Sequence, residues 1–237
     1  MRIVVLPTAD DAAQFVADNF EKLLATKPNA VLGLAAGRTP ELAYRLVCER
    51  HPIVDQAAAV LLDEYVGLSG TDDQSFRHQI QTTFTDPIGL DPSRLYSLDG
   101  LATDPAATCA GFEDSIRALG GIDLQLLGVG RNGHIGFNEP GSSHLSRTRL
   151  IQLTETTRND NATAFGSIDL VPASALTQGI GTILEARQII LLATGAHKAD
   201  AIAAAVHGPV TEAVPASALQ RHPNTMVVVD AAAAQRC

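Results

Sequence analysis

The sequence predicts an α/β fold, a three-layer α/β/α sandwich around a mainly parallel, Rossmann-like sheet. Two observations carry this. Six short apolar runs alternate with stretches of helical periodicity, the pattern of repeated βαβ units. The run at 122–129 is rich in branched apolar residues and closed by glycines, as a strand buried on both faces and its exit turn usually are. At 237 residues the chain can build one sizeable core, and nothing marks a boundary, so 1–237 reads as a single domain.

The elements follow in order. Residues 3–6 open as a strand; Pro7, Asp10 and Asp11 behind them mark a helix start rather than a secretion signal. Helical periodicity runs over 10–25. The strand 30–34 leaves through Ala35, Ala36 and Gly37 into a helix at 41–50, with Thr39 as its N-cap and Pro40 as its first helical residue. A strand at 58–62 ends in adjacent acids, Asp63 and Glu64. Helices are expected at 73–84 and 105–119, then the strand 122–129, closed by Gly128 and Gly130. Residues 151–152 and 180–184 are too short to separate strand from helical turn. A strand at 188–193, helices at 197–206 and 216–221, and a strand at 225–229 complete the pattern, and the alanines at 231–234 favour helix.

Bulk properties exclude several classes of function. A net charge of −9 without a basic cluster argues against a nucleic-acid surface. No apolar run is long enough to span a bilayer, and a cytoplasmic location is expected. Cys48, Cys109 and Cys237 are too few and too scattered for a disulfide framework or a zinc site and read as reduced thiols. The histidines show no metal-ligand spacing, so no catalytic metal is expected.

Four polar sites fall at the carboxyl ends of predicted strands, where ligands bind in open α/β sheets. The Gly37-Arg38-Thr39 turn offers free helix amides and a positive charge, which suits a phosphate. Asp63 or Glu64, one of them partly buried beside a like charge, can serve as a strong base. His134 follows a glycine-rich exit with Glu139 near enough to orient it. Lys198, after a strand and a glycine, can hold phosphate or form a Schiff base. Gly128, Gly130 and Gly133 also satisfy G-x-G-x-x-G, but Gly136, Pro140 and Gly141 deny the helix that a dinucleotide site requires.

These segments (LGLAAGRTP, LLDEYVGLS, LGVGRNGHIGFNEPGSS followed by SRTR, VPASALTQGIGTIL, GAHKADAI and SALQRHPNTMVVVD) resemble those of the glucosamine-6-phosphate deaminases, in the superfamily shared with the 6-phosphogluconolactonases. The resemblance implies conversion of glucosamine 6-phosphate and water to fructose 6-phosphate and ammonia, within amino-sugar catabolism and without a cofactor. It implies Asp63 as the base at C2, His134 as the ring-opening base supported by Glu139, and Gly37, Arg38, Thr39 and Lys198 as phosphate contacts. Three positions depart from the family pattern. Asn132 stands where some members pair an aspartate with the histidine, and it can orient the ring without stabilising an imidazolium. Thr163 lies near where larger members use a phosphate-binding arginine, for which Arg38 can compensate. Ile151 lies near where allosterically activated members carry a lysine, so no activation by N-acetylglucosamine 6-phosphate and a monomer or small homo-oligomer are expected. The competing readings are a 6-phosphogluconolactonase, a deaminase or isomerase for the galactosamine epimer, and a sugar-phosphate sensor without turnover.

Overall fold

The computed structural model describes residues 1–237. In chain order the elements are β1 (Arg2–Leu6), α1 (Ala9–Thr26), β2 (Val31–Leu34), α2 (Arg38–Glu49), β3 (Ala58–Leu61), β4 (Asp63–Tyr65), α3 (Phe76–Ile80), α4 (Asp86–Ile88), β5 (Leu95–Tyr96) and α5 (Pro105–Ala118). There follow β6 (Leu124–Leu127), β7 (Arg149–Gln152), α6 (Glu155–Phe165), β8 (Ser174–Thr177), α7 (Ile180–Leu184), β9 (Gln188–Ala193), α8 (Ala199–His207) and β10 (Thr225–Asp230).

Seven strands form one parallel sheet in the order β1-β10-β9-β6-β2-β3-β5. Successive side chains point to opposite faces, and the core divides accordingly. Leu124, Leu126, Ile190 and Val228 pack with α1 and α2 on one face, while Leu127, Ile189, Leu191 and Val227 pack with α5, α7 and α8 on the other. Both faces are covered, which gives the three layers the sequence predicts. Each such leucine or isoleucine, buried completely, contributes about 1.5–3 kcal/mol.

All six predicted strands are present, β6 being shorter at each end than its apolar run. A second sheet, antiparallel and ordered β4-β8-β7, was not legible because its short strands, DEY, SALT and RLIQ, contain no continuous apolar run. The two ambiguous segments resolve as strand β7 and helix α7. Four expectations need correction. Helix α2 begins at Arg38 with Gly37 as its N-cap (φ 117°) and no side-chain cap, so Thr39 lies inside the first turn. Residues 215–221 form a 3-10 helix, and the alanines at 231–234 form turns. The helix expected over 73–84 starts at Phe76, where Ser75 caps it, and widens into a π turn at Gln81–Thr85. Pro87 follows, with no amide to offer the carbonyl four residues before it.

Candidate active site

β9, β6, β2 and β3 are consecutive in the sheet, so their carboxyl ends span about 14 Å at the usual strand spacing. A cavity of about 560 Å³ opens over them, lined by Gly37 after β2, Asp63 after β3, His134 after β6 and Lys198 after β9. Four groups scattered over 162 positions of the chain thus face one volume.

The uncapped start of α2 forms part of the wall. Gly37 adopts a φ that other residues rarely take, and no side chain occupies the first-turn amides of the twelve-residue helix. Those free donors and the positive end of the helix dipole favour an anion. Arg38 is exposed, and neither it nor Thr39 lines the cavity.

The two adjacent acids have opposite fates. Glu64 is 1% exposed and accepts four hydrogen bonds, from the Tyr65 amide at 2.9 Å, the Phe76 amide at 3.1 Å, the Arg77 amide at 3.0 Å and the Ser75 hydroxyl at 2.6 Å. It therefore fixes the start of α3. Asp63 lines the cavity, and its carboxyl is pushed well above the usual carboxylate range, first by burial and then by the charge of Glu64. Gly136 makes room for it. A Cβ there would lie 2.9 Å from Thr177 Oγ1 and 3.3 Å from Asp63 Oδ2, and its φ is +55°.

His134 is held by a relay. Asn132 Nδ2 donates to Glu139 Oε2 at 2.8 Å, which leaves Asn132 Oδ1 to accept from the His134 amide at 3.2 Å and from Nδ1 at 2.7 Å. The proton is thereby placed on Nδ1, and Nε2 keeps a free lone pair. Burial lowers the affinity of the ring for a second proton, an effect that Glu139 partly offsets, so the imidazole is neutral at pH 7. The ring lies directly over Gly130, where a Cβ would come within 2.0 Å of it. The middle glycine of the apparent dinucleotide motif thus makes room for the histidine instead. Glu139 is braced in turn by the Thr157 hydroxyl and by Thr154 at 3.4 Å.

Lys198 donates to the Val129 carbonyl at 2.7 Å, keeping two further donors. Burial lowers its pKa, Arg131 adds to that, and Asp160 opposes it. No three His, Cys, Asp or Glu side chains gather in a metal-binding arrangement, and the three cysteines are unpaired.

Residues 7–228 match the family model of the glucosamine-6-phosphate isomerases and 6-phosphogluconolactonases. The chain belongs to that family. Within the family it is 49% identical over 237 residues to the glucosamine-6-phosphate deaminase of Pseudarthrobacter chlorophenolicus, covering 99% of this chain and 92% of that one. The Streptomyces coelicolor glucosamine-6-phosphate deaminase is 48% identical over 241 residues, with 100% and 92% covered. Among solved structures, that of a monomeric glucosamine-6-phosphate deaminase superposes with a TM-score of 0.98 at 42% identity, covering both chains fully. The 6-phosphogluconolactonase of Trypanosoma cruzi shares the fold, with a TM-score of 0.81 at 18% identity over 99% and 96% of the two chains.

Of the residues singled out from the sequence, Gly37, Asp63, His134 and Lys198 reach the cavity of this family member, Asn132 and Glu139 stand behind the imidazole, and Arg38 and Thr39 stay outside. Sequence reasoning missed Arg131, His197, and the Thr157, Asp160 and Asn161 wall supplied by α6. Helix α6 is weakly amphipathic, with Thr157 as its one buried residue, so no apolar period announces it. Its ends were nonetheless marked: Thr154 caps the Thr157 amide, and Gly166 closes the helix in the left-handed region.

Proposed function

We propose that the chain, acting over 1–237 as one unit, deaminates and isomerises glucosamine 6-phosphate to fructose 6-phosphate and ammonia in the cytoplasm. The single observation that carries the reading is that Asp63 and His134, a raised-pKa carboxylate and a neutral imidazole, face the same cavity. Two proton-transfer groups in different states are what ring opening followed by isomerisation demands.

His134 Nε2 takes the proton of the anomeric hydroxyl and returns one to the ring oxygen. Asn132 and Glu139 hold the ring in the tautomer that permits this. Asp63 then removes the C2 proton of the open chain, giving an enolamine. Protonation at C1 leaves an imine at C2, which water hydrolyses to the ketone with loss of ammonia. The uncapped start of α2 and Lys198 hold the phosphate. The sequence relatives named above support the deaminase over a lactonase, because they are glucosamine-6-phosphate deaminases at 48–49% identity over nearly the whole chain, whereas the lactonase likeness, at 18% identity, extends to fold alone. The protein works as a monomer, like its 42%-identical structural relative, or as a small homo-oligomer.

Ammonia release from purified protein given glucosamine 6-phosphate tests the proposal directly. Turnover of 6-phosphogluconolactone without ammonia would overturn it, and faster turnover of the galactosamine epimer would reassign the substrate.

A further inference from the structure

We propose that Arg131 grips the phosphoryl group of the substrate and that Asp160 is its resting counter-ion, a carboxylate that the phosphoryl group displaces. The identity of the phosphorylated ligand rests on the deaminase reading above; the assignment of Arg131 rests on geometry.

Arg131 lies four residues beyond the end of β6 and lines the cavity together with Lys198. Lys198 is tied to the carbonyl of Val129, two residues before Arg131, so both cations stand at the same strand exit. Asp160 arrives from the opposite wall on α6 and pairs with Arg131. Its carboxylate is also close enough to raise the proton affinities of both Lys198 and His134. One acidic side chain is thus paired with one of the two Arg and Lys residues that line the cavity and acts electrostatically on the other. Arg38, the other arginine near this end, is outside it.

Charge balance decides which anion belongs there. A phosphate monoester carries about −1.5 to −2 at neutral pH, which two cations match and which two cations plus Asp160 do not. A phosphoryl group next to the Asp160 carboxylate is repelled by it. The Arg131 and Asp160 side chains are 62% and 36% exposed, and a pair so open to water is weakly held. The planar guanidinium gains more from two parallel bonds to phosphoryl oxygens.

Affinity for inorganic phosphate by isothermal titration calorimetry, with KM and kcat for glucosamine 6-phosphate, tests this on the wild type, Arg131→Met, Arg131→Lys and Asp160→Asn. Arg131→Met should weaken phosphate binding and raise KM roughly 10- to 100-fold, with the smaller share of the loss in kcat. Arg131→Lys should recover part of it. Asp160→Asn should act oppositely, tightening phosphate binding and lowering KM several-fold. A tie that merely fastens α6 to the β6 exit is lost equally in both variants, so a shift of Arg131→Met and Asp160→Asn in the same direction overturns the proposal. So does a wild type that binds no phosphate, or an Arg131→Met that binds it normally. Failure of the wild type to release ammonia would instead sink the deaminase reading, and the phosphate titrations would still decide Arg131.

Discussion

The two walls of the cavity are built on different physics. The sheet wall rises from β9, β6, β2 and β3, whose apolar residues are buried on both faces, and it holds Asp63, His134 and Lys198 at strand ends. The α6 wall fully buries one residue and is fastened largely by polar contacts, Thr157 to Glu139, Arg158 to the carbonyls of Ile168 and Val171, and Asp160 to Arg131, with Ala162 and Phe165 packed against the small Tyr65 cluster at its end. The groups proposed for chemistry are therefore mounted where displacement is costly. The α6 side chains that face them sit on an element whose polar contacts exchange with water at little cost.

Asp63→Asn should break the sheet wall's function most completely, lowering kcat roughly 100- to 10,000-fold while phosphate still binds. Loss of C2 hydrogen exchange in heavy water checks it, and exchange at the wild-type rate would remove Asp63 from its role. The same change should raise Tm at neutral pH. The carboxyl of Asp63 titrates higher in the folded chain than in the unfolded one; its contribution to folding is favourable at low pH and is lost as pH climbs from the ordinary carboxylate range through the raised value.

Lys198→Ala should act next most strongly, raising KM on the order of 10- to 100-fold with a smaller change in kcat. An unchanged KM places the phosphate elsewhere. Glu64→Gln probes the electrostatics of the sheet wall. Asp63 works deprotonated, so kcat/KM falls on the acid side at a pH above the ordinary carboxylate range; removing the neighbouring charge should move that limb to lower pH. It should also cost about 1–3 kcal/mol of stability, because donors at the start of α3 lose a charged acceptor.

The smallest effect is expected on the α6 wall. Thr157→Val removes one brace of Glu139 and should reduce kcat about 2- to 10-fold. Hydrogen exchange sharpens the contrast: amides of α6 should exchange faster than those of β6 in the wild type, and equal protection would contradict the difference drawn between the walls.

Legibility in the sequence follows the same division. The central strands and the exits carrying Asp63, His134 and Lys198 were readable because continuous apolar runs stopped by glycine or acid have few other solutions. Helix α6 was not, since ETTRNDNATAF has no apolar stripe and its stability comes from partners distant in sequence. Arg131 looked like any loop arginine until Asp160 and Lys198 were beside it. Thr39 carried a good capping signal, yet the helix starts earlier because Gly37 can take a backbone angle that threonine cannot take without strain.

By itself the sequence determined the layering, the parallel sheet and the set of residues at its carboxyl edge, since hydrophobic period and turn chemistry are local properties. Tertiary structure alone decided which of Asp63 and Glu64 meets the cavity, which nitrogen of His134 is free, and which arginine faces Lys198. Each of those outcomes depends on hydrogen-bond partners and charges brought together from separate strands, and no local pattern encodes them.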